Sequence, residues 1–124
     1  MRPDEIERRD RAIAGEAVVA NHHLDKDLIK WAKANGKAKH VGRTYWGWGT
    51  SSFKNPVKLT DKDDPVERDA VCDPFVTHLA NRPDLMKRIE DGELGGMVLL
   101  CFCHPLRCHG DHLAKLANER RTGS

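Results

Sequence analysis

The sequence lacks a long apolar run, a strong excess of charge of one sign, and any internal repeat. No stretch of its 124 residues approaches the roughly 20 apolar residues of a membrane-spanning helix, and the charged N-terminus is unlike a secretory signal. We therefore expect a cytoplasmic protein with no membrane partner. The formal net charge of +2 is too small to indicate a nucleic-acid partner by itself. The length suits one domain with one hydrophobic core.

The cysteines are unevenly distributed, because three of the four lie within one run of eight residues. These three are Cys101, Cys103 and Cys108. Cysteines two positions apart on an extended strand are poorly placed to bond to each other, and a reducing compartment favours thiols or a metal over disulfides. The fourth, Cys72, stands alone in a helical pattern and is expected to be a small core residue.

The segment 96–103 is the most apolar part of the chain and predicts a strand buried on both faces. Alternate residues of a strand point to opposite faces, and both sets are largely apolar here. Such a strand must be covered by a layer on each side. We therefore expect a small α/β helix–sheet–helix sandwich, Rossmann-like in its layering, with this segment as the central strand. A second, short strand is expected at 39–43.

Helical patterns surround these strands. A helical pair is expected within residues 1–37, the first helix with an apolar face extending to Ala17, the second with Asp25 as its N-cap. These residues would form an N-terminal helical extension, followed by the α/β domain at 38–120 and a frayed tail at 121–124.

Three prolines mark the region between the two strands. Pro65 and Pro83 are each expected to begin a helix. Pro74 should cause a kink or a restart, because proline removes a backbone donor from the helix.

The residues from 44 to 56 form an aromatic-rich segment with no period, which predicts a long ordered loop. Two roles are open for its rings at Trp46, Trp48 and Phe53. They would fill the edge of the core, or one of them would stack on a planar ligand such as a base.

The turn after the central strand is the candidate site. In open parallel sheets, ligands sit beyond the carboxyl ends of the strands, and a helix N-terminus attracts phosphate or carboxylate. Arg107 adds positive charge, and Gly110 allows close approach of a ligand. An anionic small molecule is therefore the expected partner.

The chemistry of this turn has three interpretations. Cys108, beside His109 and at a helix start, would favour the thiolate and act as a nucleophile, with Asp111 orienting a histidine or accepting a substrate proton. The thiols of Cys101 and Cys103 would instead join Cys108 and His109, or His112, around zinc. The spacing lacks the paired Cys-x2-Cys turns typical of zinc sites, so the third interpretation is that Cys101 and Cys103 simply pack in the core.

The motif Leu99-Leu100-Cys101-Phe102-Cys103-His104-Pro105, followed by Cys108-His109-Gly110-Asp111, resembles the domain of unknown function 4326. Two further marks of that family are a Gly-Arg after the first strand, matched by Gly42-Arg43, and a Trp-Gly-Asn-Pro-Phe loop, similar to Phe53-Lys54-Asn55-Pro56-Val57. The resemblance spans about residues 39–118. It implies a compact α/β domain, often encoded by phages, in which Gly42, Arg43, Asn55 and the cysteine turn share one pocket.

Three functions follow as expectations. The first is binding of a nucleotide-like or phosphorylated ligand at the cysteine turn, with Arg43 contacting the anion and Asn55 hydrogen-bonded to the ligand. The second is a non-enzymatic phage protein that binds a host protein or nucleic acid through its N-terminal helices. A lysine stripe at positions 26, 30, 33 and 37 motivates it, although a solvated helix face has the same spacing. The third is a structural zinc module.

Overall fold

The computed structural model describes residues 1–43, 47–56, 65–102, 106 and 108–123. Within these ranges the elements follow one another as α1 (Pro3–Ile13), β1 (Val18–Asn21), α2 (Lys26–Ala34), β2 (Ala38–His40), α3 (Pro65–Ala80), α4 (Pro83–Glu90), β3 (Val98–Cys101) and α5 (His109–Gly123). None of the described helices combines the length and the apolar character that crossing a membrane requires.

The three described strands form one parallel sheet in the order β1-β3-β2. Val98 of β3 pairs with Val18 on one side and with Ala38 on the other. The central position predicted for segment 96–103 is therefore confirmed, with the strand itself at Val98–Cys101.

Each face of the sheet is covered by helices. On one face, Leu99 and Cys101 enter a core cluster with residues of α3, α4 and α5. On the other, Val98 and Leu100 enter a second cluster with residues of α1 and α2. The alternation read from the sequence thus holds, and the small α/β helix–sheet–helix architecture is confirmed.

The helical pair predicted for residues 1–37 is present, but the first helix is shorter than predicted. It ends at Ile13, and Gly15 then adopts a φ of 101°, a value that glycine adopts without steric cost. Ala17, predicted on a helix face, instead lies in the core beside the sheet, just before β1. All four β1 residues are buried, so residues 1–37 contribute a strand as well as two helices.

A buried ion pair joins α1 to the start of α2. Asp25 is the N-cap residue of α2, as predicted, but its carboxylate does not cap that helix. It accepts two hydrogen bonds of 2.9 Å from Arg8 and one of 2.8 Å from the Asn21 backbone amide. Glu5 takes the capping role, accepting a 2.9 Å bond from the Leu28 amide. The N-terminal helices are therefore locked together by charge.

Helix α3 begins at Pro65 and α4 begins at Pro83, as predicted. The restart suggested at Pro74 does not occur, because α3 continues through Pro74 to Ala80. Cys72 on α3 is buried, as expected. At the C-terminus, α5 reaches Gly123 and so enters the segment expected to be a tail.

Candidate functional site at the carboxyl edge of the sheet

At the carboxyl ends of two neighbouring strands, β1 and β3, the chain leaves the sheet toward opposite faces. After β1 it continues into α2 on one face, and after β3 it continues into α5 on the opposite face. Asn21 and Cys101, the last residues of these strands, are paired. Asn21 also donates a 3.0 Å bond to the Phe102 carbonyl and accepts a 2.8 Å bond from the His23 amide. A reversal of this kind is where open α/β sheets form a crevice for ligands.

The N-terminus of α5 lies at this edge and is capped within its own first turn. The Asp111 carboxylate accepts a 3.1 Å bond from the Cys108 amide, and the Asp111 amide donates a 3.1 Å bond to the Cys108 carbonyl. Asp111 is therefore already engaged in capping. A Cβ at Gly110 would lie 3.3 Å from the Cys108 Sγ and 3.6 Å from Val19, so glycine permits α5 to approach the sheet this closely.

His109 is hydrogen-bonded to the backbone of Val41, the residue directly after β2. Its Nε2 lies 2.5 Å from the Val41 carbonyl, and since a carbonyl only accepts, Nε2 carries the proton. Burial lowers the pKa of His109 from its usual value. The hydrogen bond to Val41 and the charge of Asp111 oppose this effect, whereas the charges of His40 and Arg43 add to it. The ring is thus neutral near pH 7, with Nδ1 as its basic atom.

The three residues proposed as catalytic line one cleft of about 360 Å³. Its lining residues are Cys72, Val76, Cys108, His109, Asp111, His112 and Lys115. The Cys108 Sγ also contacts the Cys101 Sγ at 3.4 Å. The structure therefore brings thiols, imidazoles and a carboxylate together at the start of α5.

Arg43 and Asn55 contact each other, but neither residue lines the cleft at Cys108. The exposed Arg43 donates from Nη2 to the Asn55 and Pro56 carbonyls at 3.2 and 3.1 Å. The Asn55 side chain donates a 2.7 Å bond to the Val71 carbonyl of α3. Its amide nitrogen is therefore used to tie the loop to α3. A Cβ on Gly42 would lie 3.2 Å from the His40 ring.

The two described rings of the aromatic segment, Phe53 and Trp48, both pack against core residues. Phe53 is fully buried in the core, as the core-filling interpretation predicts. Trp48 is partly buried and lies near His22 and His40, with ring centroids 6.1 Å away and the ring planes tilted in each case. Trp46 lies outside the described residues.

Two predicted site residues, Cys103 and Arg107, also lie outside the described residues, so one of the predicted zinc ligands, Cys103, has no described position. Among the residues that are described, no three His, Cys, Asp or Glu side chains are grouped so as to hold a metal ion. The Cys101 and Cys108 thiols are the described pair that comes closest to the predicted ligand set.

The sequence analysis missed a histidine pair at the same edge. His22 Nε2 lies 3.0 Å from His40 Nδ1, and His40 Nε2 is hydrogen-bonded to the Arg43 carbonyl. Because that carbonyl can only accept, a neutral His40 accepts from His22 through Nδ1. Burial, then the charges of His40 and His23, lower the pKa of His22 to about 4. The available signal was a histidine at the carboxyl end of each of two strands, His22 directly after β1 and His40 as the last residue of β2. Using that signal required β1 to be recognised.

The family model described as Domain of unknown function (DUF4326) matches residues 26–119. The chain belongs to this family. The DUF4326 match begins at the first residue of α2, which is earlier than the motif resemblance, and it leaves out α1 and β1. Neither the search of curated proteins nor the search of solved structures gave a match.

Proposed function

We propose that the protein binds a nucleotide-like or other phosphorylated ligand at the carboxyl edge of the sheet, beside the N-terminus of α5. The observation that carries this proposal is the reversal between β1 and β3, where the chain departs to opposite faces from adjacent strands. Such a reversal leaves a crevice at the strand ends. The α5 N-terminus adds the positive end of a helix dipole there.

Arg43 supplies the positive charge in this proposal. Toward the described residues it donates hydrogen bonds from Nη2, and a guanidinium has further N–H donors suited to a phosphate. His109 is uncharged near pH 7, so it would contribute a hydrogen bond or a base rather than charge. Gly110 would allow a phosphate to approach the helix backbone closely.

Catalysis at this site would use Cys108 as the nucleophile and the Nδ1 of His109 as the base. Asp111 caps α5, so it would orient the turn rather than exchange protons. A product assay on the same ligands measures whether the protein converts them, as a transferase or a hydrolase would.

The test is a calorimetric titration of the full chain with inorganic phosphate, nucleoside monophosphates and nucleoside triphosphates. We expect at least one to bind, and Arg43→Ala to weaken binding by roughly tenfold or more, since a hydrogen bond to a charged group contributes about 1.5–3 kcal/mol. Arg9→Ala is the control, because Arg9 pairs with Asp10 on α1. The proposal is wrong if no phosphate compound binds, or if both variants weaken binding equally.

A second candidate function is nucleic-acid binding by α2, which one observation supports. A shallow groove of about 260 Å³ is lined by His22, Lys26, Ile29, Lys30 and Lys33. No carboxylate lines it, and among the described residues none of these lysines has a salt bridge. The Lys33 ammonium lies 5.6 Å from the Trp48 ring centroid, so a stacking platform lies beside the charge.

This second function predicts salt-dependent retention of single-stranded DNA. Replacing Lys26, Lys30 and Lys33 together by Gln should abolish the retention. Replacing Lys54, Lys87 and Lys115 by Gln is the control with the same change in net charge. If both triple variants lose DNA retention equally, the retention depends on net charge alone, and the groove is not the binding site.

A further inference from the structure

We propose that Cys101 and Cys108 are a modification site, at which a hydroperoxide converts the two thiols into an intramolecular disulfide. The two sulfur atoms already lie 3.4 Å apart, and neither cysteine is in a disulfide. This proposal is independent of the phosphorylated ligand, because it needs only the two thiols and the oxidant.

The positions of the two cysteines suit a bond between them. Cys101 is the last residue of the central strand, and Cys108 is the residue directly before α5. A disulfide requires a sulfur–sulfur distance of about 2.05 Å, so the sulfurs must approach by roughly 1.4 Å. Gly110 leaves the space in which the Cys108 Sγ lies, since a Cβ there would sit 3.3 Å from it.

The two thiols differ in their access to an oxidant. Cys108 lines the cleft of about 360 Å³ together with His109 and His112. Both cysteines are buried, Cys108 at 4% and Cys101 at 2% exposed, but Cys101 does not line that cleft. Cys108 is therefore the thiol that meets the hydroperoxide, and Cys101 is the thiol that resolves the product.

The chemistry balances with the hydroperoxide as the only co-reactant. The Cys108 thiolate attacks one peroxide oxygen, the O–O bond breaks, and a sulfenic acid forms while the other oxygen leaves as an alcohol or water. The Cys101 thiolate then attacks the Cys108 sulfur, the S–O bond breaks, and hydroxide leaves as water with the proton that Cys101 lost. In total, two thiols lose two electrons and two protons, and the hydroperoxide is reduced.

The experiment treats the reduced full chain with hydrogen peroxide, then alkylates the remaining thiols under denaturing conditions. We expect alkylatable thiols to fall from four to two, and dithiothreitol to restore them. Trypsin cleaves after Arg88, Arg107 and Lys115, so the disulfide should link peptide 89–107 to peptide 108–115. Without reduction these peptides should migrate as one species.

Single variants identify the bonded sulfurs. Cys101 and Cys103 share a tryptic peptide, so the peptide link alone does not show which of them is bonded. Cys103→Ser should still form the link, whereas Cys101→Ser and Cys108→Ser should not. Cys72→Ser is the matched control in the same cleft and should also form it. In Cys101→Ser, the sulfenic acid should persist at Cys108 and react with dimedone.

Four results would overturn the proposal. The first is a link that disappears in Cys103→Ser, and the second is oxidation of Cys108 in the unaltered chain without any link. The third is no loss of thiols at all. The fourth is elemental analysis showing one equivalent of zinc that protects these thiols until a chelator removes it, which would assign them to a metal instead.

Discussion

Arg8 and Asp25 show how one residue can hold a helix start in place through charge rather than through capping. Burial by itself raises the pKa of Asp25, but hydrogen bonds and charge from Arg8, with help from the Asn21 amide and Arg2, outweigh it and lower the pKa below its ordinary value. The carboxylate is 1% exposed. Its ionised form therefore stabilises the fold above its unfolded pKa, and this stabilisation is lost only in strong acid.

Asp25→Asn should therefore be strongly destabilising. It removes the buried carboxylate that faces the Arg8 guanidinium and leaves only the largely exposed Asp4 carboxylate, 2.8 Å away. Breaking a buried ion pair by removing one partner costs about 3–5 kcal/mol. Urea unfolding at pH 7 measures the change in the free energy of unfolding. Asp84→Asn is the control, because the Arg82–Asp84 pair is exposed and its removal should leave the unfolding curve unchanged. Equal effects of the two substitutions would contradict the buried-pair account.

His22 should make stability depend on pH in a different window. Its folded pKa of about 4 lies below the unfolded value of 6.5, so the unfolded chain binds more protons between these values. Stability must then fall as pH is lowered from about 6.5 to 4, by at most about 3 kcal/mol. Asp25 contributes below that window, since its lowered pKa lies under 3.8.

The check is urea unfolding at several pH values between 7 and 4.5. His22→Gln, which keeps an N–H to face His40, should flatten the dependence in part, with the remainder assigned to His109, whose pKa is also lowered. His23→Gln is the neighbouring comparison: His23 is exposed, and its charge is the smallest of the three causes that lower the pKa of His22, so the slope should change far less. An unchanged slope in His22→Gln would show that His22 does not titrate as its burial implies.

At the scale of elements, the position of α5 depends on how closely its first turn approaches the sheet. A side chain at Gly110 meets Cys108, Val19 and Val41 within 3.3–3.7 Å. Gly110→Ala should change stability by less than about 1 kcal/mol, because the gain in helix propensity offsets the tight contact. Gly110→Val should be destabilising by about 1–3 kcal/mol through overpacking.

Thermal unfolding of both Gly110 variants tests this packing. The control is Gly49→Val, since a Cβ at Gly49 has no atom within 4 Å and should be tolerated. Should Gly110→Val unfold at the same temperature as the unaltered chain, α5 does not lie as close to β1 and β2 as described.

The strands show which elements a local pattern can predict. Segment 96–103 was recognisable because a continuous apolar run between glycines suits a strand buried on both faces. β1 was not recognised, because Val18, Val19 and Ala20 come directly after a helical pattern and form only a short apolar run. Only pairing with β3 gives these residues partners for their backbone groups. The missed strand also concealed His22, whose role depends on its place at a strand end.

At the scale of the whole molecule, the family match and the folded unit have different boundaries. DUF4326 begins at Lys26, yet β1 is an outer strand of the described sheet, and α1 supplies Arg8 and Ala12 to the interior. We predict that a fragment of residues 26–124 does not fold. Losing β1 leaves one side of β3 without hydrogen-bond partners. Losing residues 1–25 also removes three of the seven buried residues of the second core cluster, Ala12, Val18 and Ala20.

Circular dichroism and urea unfolding of this fragment, beside the full chain, measure the effect. The expected result is loss of the cooperative transition. A cooperative transition at an unchanged urea concentration would mean that residues 1–25 form a separable extension, as the helical pair at the N-terminus first suggested. If the fragment is unfolded only because it lacks residues 1–25, adding the peptide 1–25 in excess should restore the transition.

The sequence by itself determined the fold class, the family, the central strand and the turn that carries the cysteines and histidines. Each of these depends on local periodicity or on a contiguous motif, which the chain displays without folding. Tertiary structure alone decided that β1 exists, that His22 meets His40, that Asp25 pairs with Arg8, and that Cys101 lies against Cys108. Those pairs join residues from 7 to 18 positions apart, and nothing in their local sequence specifies the partner. Parallel pairing brings the strand ends to one edge, and burial then fixes the charge state of the groups that meet there.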